Sequence, residues 1–394
     1  MKEISTKVYI ALSALAVSAF AIGTTEFVIV GLLPTVASDL GITVTKAGTL
    51  ISGYAVAIAI GTPVVTAVTS RIPKKFFLLL LLMVFSAGNA AAAIAQTYEL
   101  LLAARVVTAV AHGVFFAVAA TVAADLVPEH KRGSAISIMF TGLTVATIAG
   151  VPMGTYIGQN AGWRVTFIVV AVLGLLGLVT TFFAVDRIAK STTGPTVSDI
   201  IVLVKHPKIV SSLMMTALGF GGTFTIFTYM TPILEEVSGH PSDWISLLLL
   251  IYGVAVAVGN ILGGKWADGH PVKALRYIFG VQAVVLLLQM LLLPNRILSI
   301  VSIVLLGLFA FMMSPGVQSY IVTLAEKLAP SAKDLASAFN IAAFNVGIAA
   351  GSALGGMAVN RFTPLDAAWM GALMAAAACV LAVWNTKSDR KQFI

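Results

Sequence analysis

Three ionisable side chains sit where an apolar chain should exclude them, and together they could carry a proton. Glu26 lies in Gly23-Thr-Thr-Glu-Phe27, within an apolar stretch running from about Val8 to Leu33. A carboxyl at that depth is costly unless it is protonated, paired or facing water. Such a setting suits a group that loads and releases a proton as its access to water alternates. Arg105 is the one Lys or Arg that cannot be placed outside an apolar segment, and His112 follows seven residues later on the same helical face. A fixed cation facing a protonatable acid gives the proton a reason to leave. Each residue also has a structural reading: a hydrogen bond between helices for Glu26, a guanidinium reaching the outer interface for Arg105, and packing for His112.

A second group of residues has the chemistry of a ligand lining. Thr24 and Thr25 directly precede Glu26, while Asn260, Gln282, Gln289, Gln318, Asn340 and Asn345 fall inside apolar segments of the second half. Phe224, Phe227 and Tyr229 add aromatic faces for stacking, although core or lipid-facing packing explains any one of them equally well. A lining so poor in charge predicts a neutral or weakly cationic ligand. Other chemistries are absent from the pattern. His130, His206, His240 and His270 are scattered singly, so no metal site, no cofactor and no nucleophile paired with a base is expected. Gly259-Asn-Ile-Leu-Gly-Gly264-Lys265 has the spacing of a phosphate-binding loop, but Trp266 stands where Ser or Thr would hold magnesium. The single cysteine, Cys379, lies in an apolar run and reads as a small core residue.

The elements that must position these residues follow from composition. Of 394 residues, 59% are hydrophobic and 10% charged, against roughly 45–50% and 25% in ordinary soluble domains. Charges, prolines and polar clusters divide the chain into twelve segments, each near the ~20 residues needed to cross a bilayer as a helix. Their bounds are about 8–34, 45–69, 76–96, 100–124, 134–158, 163–185, 209–235, 243–267, 273–293, 297–323, 335–360 and 364–385. They show no strand-like alternation, so helices and not barrel strands are expected. The first segment is too long for a signal-peptide core and reads as a retained span. On this count Glu26 lies roughly 7 Å to the outer side of its span centre. The net charge of +8 comes from short basic clusters between spans, a topology signal that does not point to nucleic acid. Only Lys46, Arg164, Arg296 and Arg361 fall on the side opposite the other clusters, which places both termini in the cytoplasm.

The chain also repeats itself. Residues 54–61 read Tyr-Ala-Val-Ala-Ile-Ala-Ile-Gly, and residues 252–259, 198 positions later, read Tyr-Gly-Val-Ala-Val-Ala-Val-Gly. The same offset carries Gly23 to Gly221 and Pro34 to Pro232, yet it carries Glu26 to Phe224 and Arg105 to the apolar stretch near Ile303. Two related halves are expected: an N-terminal six-helix bundle over 1–186, a cytoplasmic linker over 187–208 and a C-terminal six-helix bundle over 209–394. Glycines recur every fourth residue at Gly150, Gly154 and Gly158, and again at Gly347, Gly351 and Gly355. Such ladders let helix backbones approach closely and predict a smooth surface on which two halves rock; Pro152 adds a bend.

These motifs resemble those of the major facilitator superfamily, in particular its twelve-helix drug:proton antiporter branch. Thr66 to Lys75 is similar to the family's Gly-x-x-x-Asp-Arg-x-Gly-Arg-Lys loop, Leu101-Leu-Ala-Ala-Arg105 to its fourth-span arginine motif, and Gly142 through Gly150-Val-Pro-Met-Gly154 to its antiporter helix motif. Thr24-Thr-Glu-Phe27 with Leu32-Leu-Pro34 is similar to the sugar-efflux and chloramphenicol-efflux subset. The resemblance implies an all-α membrane protein with twelve transmembrane helices in two pseudo-symmetric bundles, working by alternating access and not as an enzyme. It implies a monomer in the cell (inner) membrane that exports small molecules against protons, with drug-like compounds or sugars as cargo. A purine nucleoside carrier or a proton-independent uniporter would fit the same scaffold. It also implies a conformational latch: Arg71, Lys74 and Lys75 take basic motif positions, Ser70 stands where the motif acid is expected and Pro73 where its second glycine is expected. The second copy keeps Asp268, followed by Gly269 where Arg is expected, with Lys273 beyond.

Overall fold

The computed structural model describes residues 6–42, 44–186, 197–230 and 233–392. Nearly all of them are helical. The first half contains α1 (Thr6–Asp39), α2 (Val44–Thr69), α3 (Lys74–Ala93), α4 (Tyr98–Asp125), α5 (Arg132–Val145), α6 (Val151–Ala161) and α7 (Trp163–Ala184). The short α8 (Val197–Lys205) leads to α9 (Pro207–Phe227), α10 (Ser242–Ala267), α11 (Pro271–Leu292), α12 (Leu298–Ala310), α13 (Ser314–Leu328), α14 (Lys333–Arg361) and α15 (Asp366–Gln392). Among the described residues, twelve helical segments are long and apolar enough to cross a membrane, as the sequence predicts. Of the expected linker, residues 187–196 lie outside the described residues, as does Pro232.

Helix starts follow local chemistry. Thr97 accepts the Leu100 N–H at 3.3 Å and caps α4, while Pro207 and Pro271 open α9 and α11, where a missing N–H costs nothing. Gly162 joins α6 to α7 at φ 90°, a left-handed conformation that favours glycine. The fifth and tenth spans are interrupted. The fifth passes through a single wide turn at Ala146–Gly150 just before Pro152, matching the expected bend. The tenth breaks at 311–313 between α12 and α13, a feature the span count misses. Pro315 lies just past that break and cannot donate to the helix ladder, which accounts for it.

The chain divides into two compact units. One comprises Met1–Pro128, Ile138–Ile200 and Ala329–Ala342, the other Glu129–Ser137, Ile201–Leu328 and Ala343–Ile394. In the first, α4 is the most enclosed helix, with residues 111–124 all buried. Its N-terminal end and the C-terminal half of α1 share an apolar core with Trp163 and Phe167 of α7. The glycine ladder of the fifth span lies along α1: Gly150 faces Thr24, Gly154 faces Val28 and Gly158 faces Leu32. In the second unit, Gly347, Gly351 and Gly355 of α14 face the backbone at Ala217, Gly221 and Thr225 of α9. Both ladders are therefore spent on close packing inside a unit. Gly150 and Gly154 of the expected motif thus meet a helix of their own half, while Pro152 is exposed.

Candidate functional site

The three ionisable residues of the first half converge between α1, α2 and α4. The Glu26 carboxylate lies 3.8 Å from His112 Nε2, and the opposite ring nitrogen, Nδ1, is 2.9 Å from the Tyr54 hydroxyl. Seven residues apart on α4, Arg105 and His112 meet the same partner, because the Arg105 guanidinium lies 4.4 Å from the centre of the Tyr54 ring. Tyr54 thus joins the two bases, its ring to the guanidinium and its hydroxyl to the imidazole. Nothing in the sequence singled it out for this role, since an aromatic residue in an apolar helix reads as packing.

Arg105 is 1% exposed, so it does not reach an interface. Its Nη1 donates to the Thr25 carbonyl at 3.2 Å and its Nε to the Leu50 carbonyl at 3.4 Å, tying α4 to α1 and α2. The guanidinium does not bond the Glu26 carboxylate, although its charge acts on it. Its Nη2 is buried without a partner among the described residues. A buried N–H left open in this way costs about 1–3 kcal/mol, so the site holds a vacant donor.

Other expected lining residues are placed differently. Thr24 donates to the Phe20 carbonyl at 2.8 Å and packs on Gly150; Thr25 donates to the Asn89 side chain at 2.6 Å. Tyr229 donates to the Ser352 carbonyl at 3.1 Å against Gly355 and Gly356. All three are engaged in helix contacts in this structure. Phe224 is buried against Phe227. Asn340 and Asn345 are both buried on α14, about 140° apart around its axis.

At the other end of these helices the expected basic positions separate. Lys74, nine-tenths buried, places Nζ 2.9 Å from Asp334 Oδ1, 3.1 Å from Thr121 Oγ1 and 3.3 Å from Asp125 Oδ2, one acceptor for each ammonium proton. Lys333 holds the other Asp125 oxygen at 2.5 Å. In the second unit, Asp268 accepts the Ser134 N–H at 2.9 Å and the Ser134 hydroxyl at 2.5 Å, at the start of α5. Arg132 grips Glu326 through two nitrogens, at 2.6 and 3.2 Å. The pairs Lys333–Asp125 and Arg132–Glu326 involve positions 201 apart, a second trace of the repeat that sequence reading missed. Arg71 and Lys273 are exposed and outside these ion pairs, and Lys75 lies over the Phe182 ring.

The twelve apolar helices have counterparts among known proteins. The family model for the Major Facilitator Superfamily matches residues 15–329. An uncharacterized MFS-type transporter, YtbD, of Bacillus subtilis (strain 168) is 48% identical over 385 residues, covering 97% of each chain. A chloramphenicol resistance protein of Streptomyces lividans is 34% identical over 373 residues, covering 93% of this chain and 94% of that one. The crystal structure of the transporter FucP in the outward conformation shares the fold, with a TM-score of 0.80 at 14% identity over 98% of this chain and 99% of that one. With its spans, its two units and relatives matched over nearly their whole length, the chain belongs to the major facilitator superfamily and is a multi-pass membrane transporter.

Proposed function

We propose that the protein is a proton-coupled antiporter that exports small organic molecules, with Glu26 as the group that carries the proton. The observation that carries this reading is the cluster itself: a carboxyl beside His112, with an unused guanidinium N–H of Arg105 nearby. Protonated, Glu26 is neutral and pairs with the imidazole. Ionised, it gains a second partner in the open Arg105 Nη2, and Tyr54 holds both bases in place. Substrate and proton then compete for one site, and inward proton movement drives export. The cargo class is drug-like compounds, with chloramphenicol the first candidate given the relative's name, and sugars the second. The chain works as a monomer in the cell membrane with both termini in the cytoplasm, following the distribution of Lys and Arg. Lys74 and Asp268 form the core of the latch, closing with the start of α14 and the start of α5 respectively.

Inverted vesicles with an imposed pH gradient test the proposal. Glu26→Gln is expected to abolish gradient-driven chloramphenicol transport while leaving substrate counterflow without a gradient. Full gradient-driven transport by Glu26→Gln removes Glu26 from the mechanism, and counterflow indifferent to pH in the parent protein identifies a uniporter.

A further inference from the structure

The repeat offset of 198 holds in space as well as in sequence, and it isolates one residue of the second unit. Gly61 of α2 faces Val110 of α4, and 198 positions on, Gly259 of α10 faces Leu308 of α12. Tyr54 therefore corresponds to Tyr252, His112 to Ala310 and Glu26 to Phe224. In the first unit the tyrosine hydroxyl has its imidazole. In the second, Ala310 offers no polar atom, and the Tyr252 hydroxyl is buried without a partner among the described residues. Leaving that hydroxyl open is a cost that a phenylalanine at 252 would avoid.

The ring of Tyr252 stands in an aromatic group. It stacks on Phe227 with centroids 4.6 Å apart and planes 18° from parallel, and Phe227 meets Phe224 edge to face at 5.4 Å. Phe224 thus occupies the position that holds the acid in the first unit, so the second unit has exchanged charge for aromatic surface around an unpaired hydroxyl. No charged side chain belongs to this group. We propose that Phe224, Phe227 and Tyr252 form a subsite for the aromatic ring of an uncharged aryl compound, whose hydrogen-bond acceptor receives the Tyr252 hydroxyl. This rests on the transport reading above and narrows its cargo: ring-to-ring packing supplies affinity, and the hydroxyl selects rings that carry an acceptor.

The test measures binding at fixed pH with no gradient, so its outcome is independent of whether Glu26 couples protons. Purified protein in lipid nanodiscs is dialysed against 4-nitrophenyl β-D-glucoside and, separately, hexyl β-D-glucoside. The aryl compound is expected to bind at least tenfold more tightly. Tyr252→Phe should weaken aryl binding about fivefold and leave alkyl binding unchanged, because it removes only the hydroxyl. Phe227→Leu should abolish the aryl preference, with size-exclusion profiles confirming that both variants fold. Equal binding of the two probes, binding of neither, or aryl binding unaltered in Tyr252→Phe overturns the proposal. Failure here with intact Glu26-dependent transport leaves proton coupling standing; the converse result separates them the other way.

Discussion

Replacing Lys74 by Met removes the ammonium that three side chains share, and the size of the effect can be worked from the distances. Breaking a buried ion pair from one side costs about 3–5 kcal/mol when the remaining charge is stranded. Here the stranding is partial. Asp125 retains Lys333 at 2.5 Å, and Asp334 retains the Thr121 hydroxyl at 2.6 Å and its place in the first turn of α14. A carboxylate in a first turn is itself favoured by about 0.3–1 kcal/mol. The side chains of Asp334 and Asp125 are also 17% and 27% exposed, so water reaches both. About 2 kcal/mol remains, roughly 30-fold in the equilibrium between a held and a released start of α14. Ser337, fully buried with its hydroxyl 2.7 Å from the Ala117 carbonyl, reports on that release. In a background where Cys379, the only cysteine, is Ala, a cysteine substituted at Ser337 should react with a maleimide on the order of tenfold faster once Lys74→Met is added. Asp334→Asn should match it, and the double variant should exceed neither by much, because both remove the same interaction. Labelling within twofold of the parent for both single variants refutes the reasoning.

Two further outcomes follow from packing and from titration. Gly154→Ala drives a methyl group into Val28 and should cost about 1–3 kcal/mol in a thermal-melt series; adding Val28→Ala should leave the double variant more stable than the two singles predict, and strict additivity would show that the ladder is not a tight contact. At the C-terminal end of α1, the hydrogen bond from Arg164 holds the Asp39 carboxyl below the ordinary carboxylate range, with the Trp163 indole adding a second bond at 3.1 Å. A depressed carboxyl contributes stability above its unfolded value and loses it as pH falls. The stability difference between the parent and Arg164→Gln should therefore be constant above about pH 5 and shrink below about pH 4; a difference that persists unchanged to pH 3 would count against the pairing.

The fold was legible because its cause is compositional: apolar runs of bilayer length leave few architectures open, and charges mark their ends. Pro152 announced the bend in the fifth span. Pro315 carried the same signal for the tenth, but within Ser314-Pro-Gly316 it was passed over in favour of the surrounding hydrophobicity. Glu26, Arg105 and His112 stood out because ionisable residues inside spans are rare. Tyr54 did not, since its role depends on which helix face meets α4, a tertiary fact that periodicity in a uniformly apolar helix does not encode. The contacts of Thr24, Thr25 and Tyr229 were illegible for the matching reason: a hydroxyl in a span can satisfy itself on a nearby carbonyl or side chain, as all three do, and its type says nothing of what it faces.

The loop of the first half lacks an acid at Ser70, which raised the question of what replaces it, and the ion pairs supply an answer. In the second unit the carboxylate sits on the turn after α10, and Asp268 meets the start of α5 through the Ser134 N–H and hydroxyl. In the first unit the polarity of the partners is exchanged. The turn before α3 leads into Lys74, and the carboxylate, Asp334, belongs to the first turn of the long helix itself. Each arrangement brings one carboxylate to one helix N-terminus, where the unpaired N–H groups favour negative charge. What differs is which side bears it. With Asp268 the helix end attracts an acid from outside, whereas with Asp334 the helix brings its own acid and recruits a cation. The pair Lys333–Asp125 flanks the one contact and its repeat counterpart Arg132–Glu326 flanks the other, so the acid missing at Ser70 is offset by Asp334: the negative charge has moved across the contact, with its bearers interchanged.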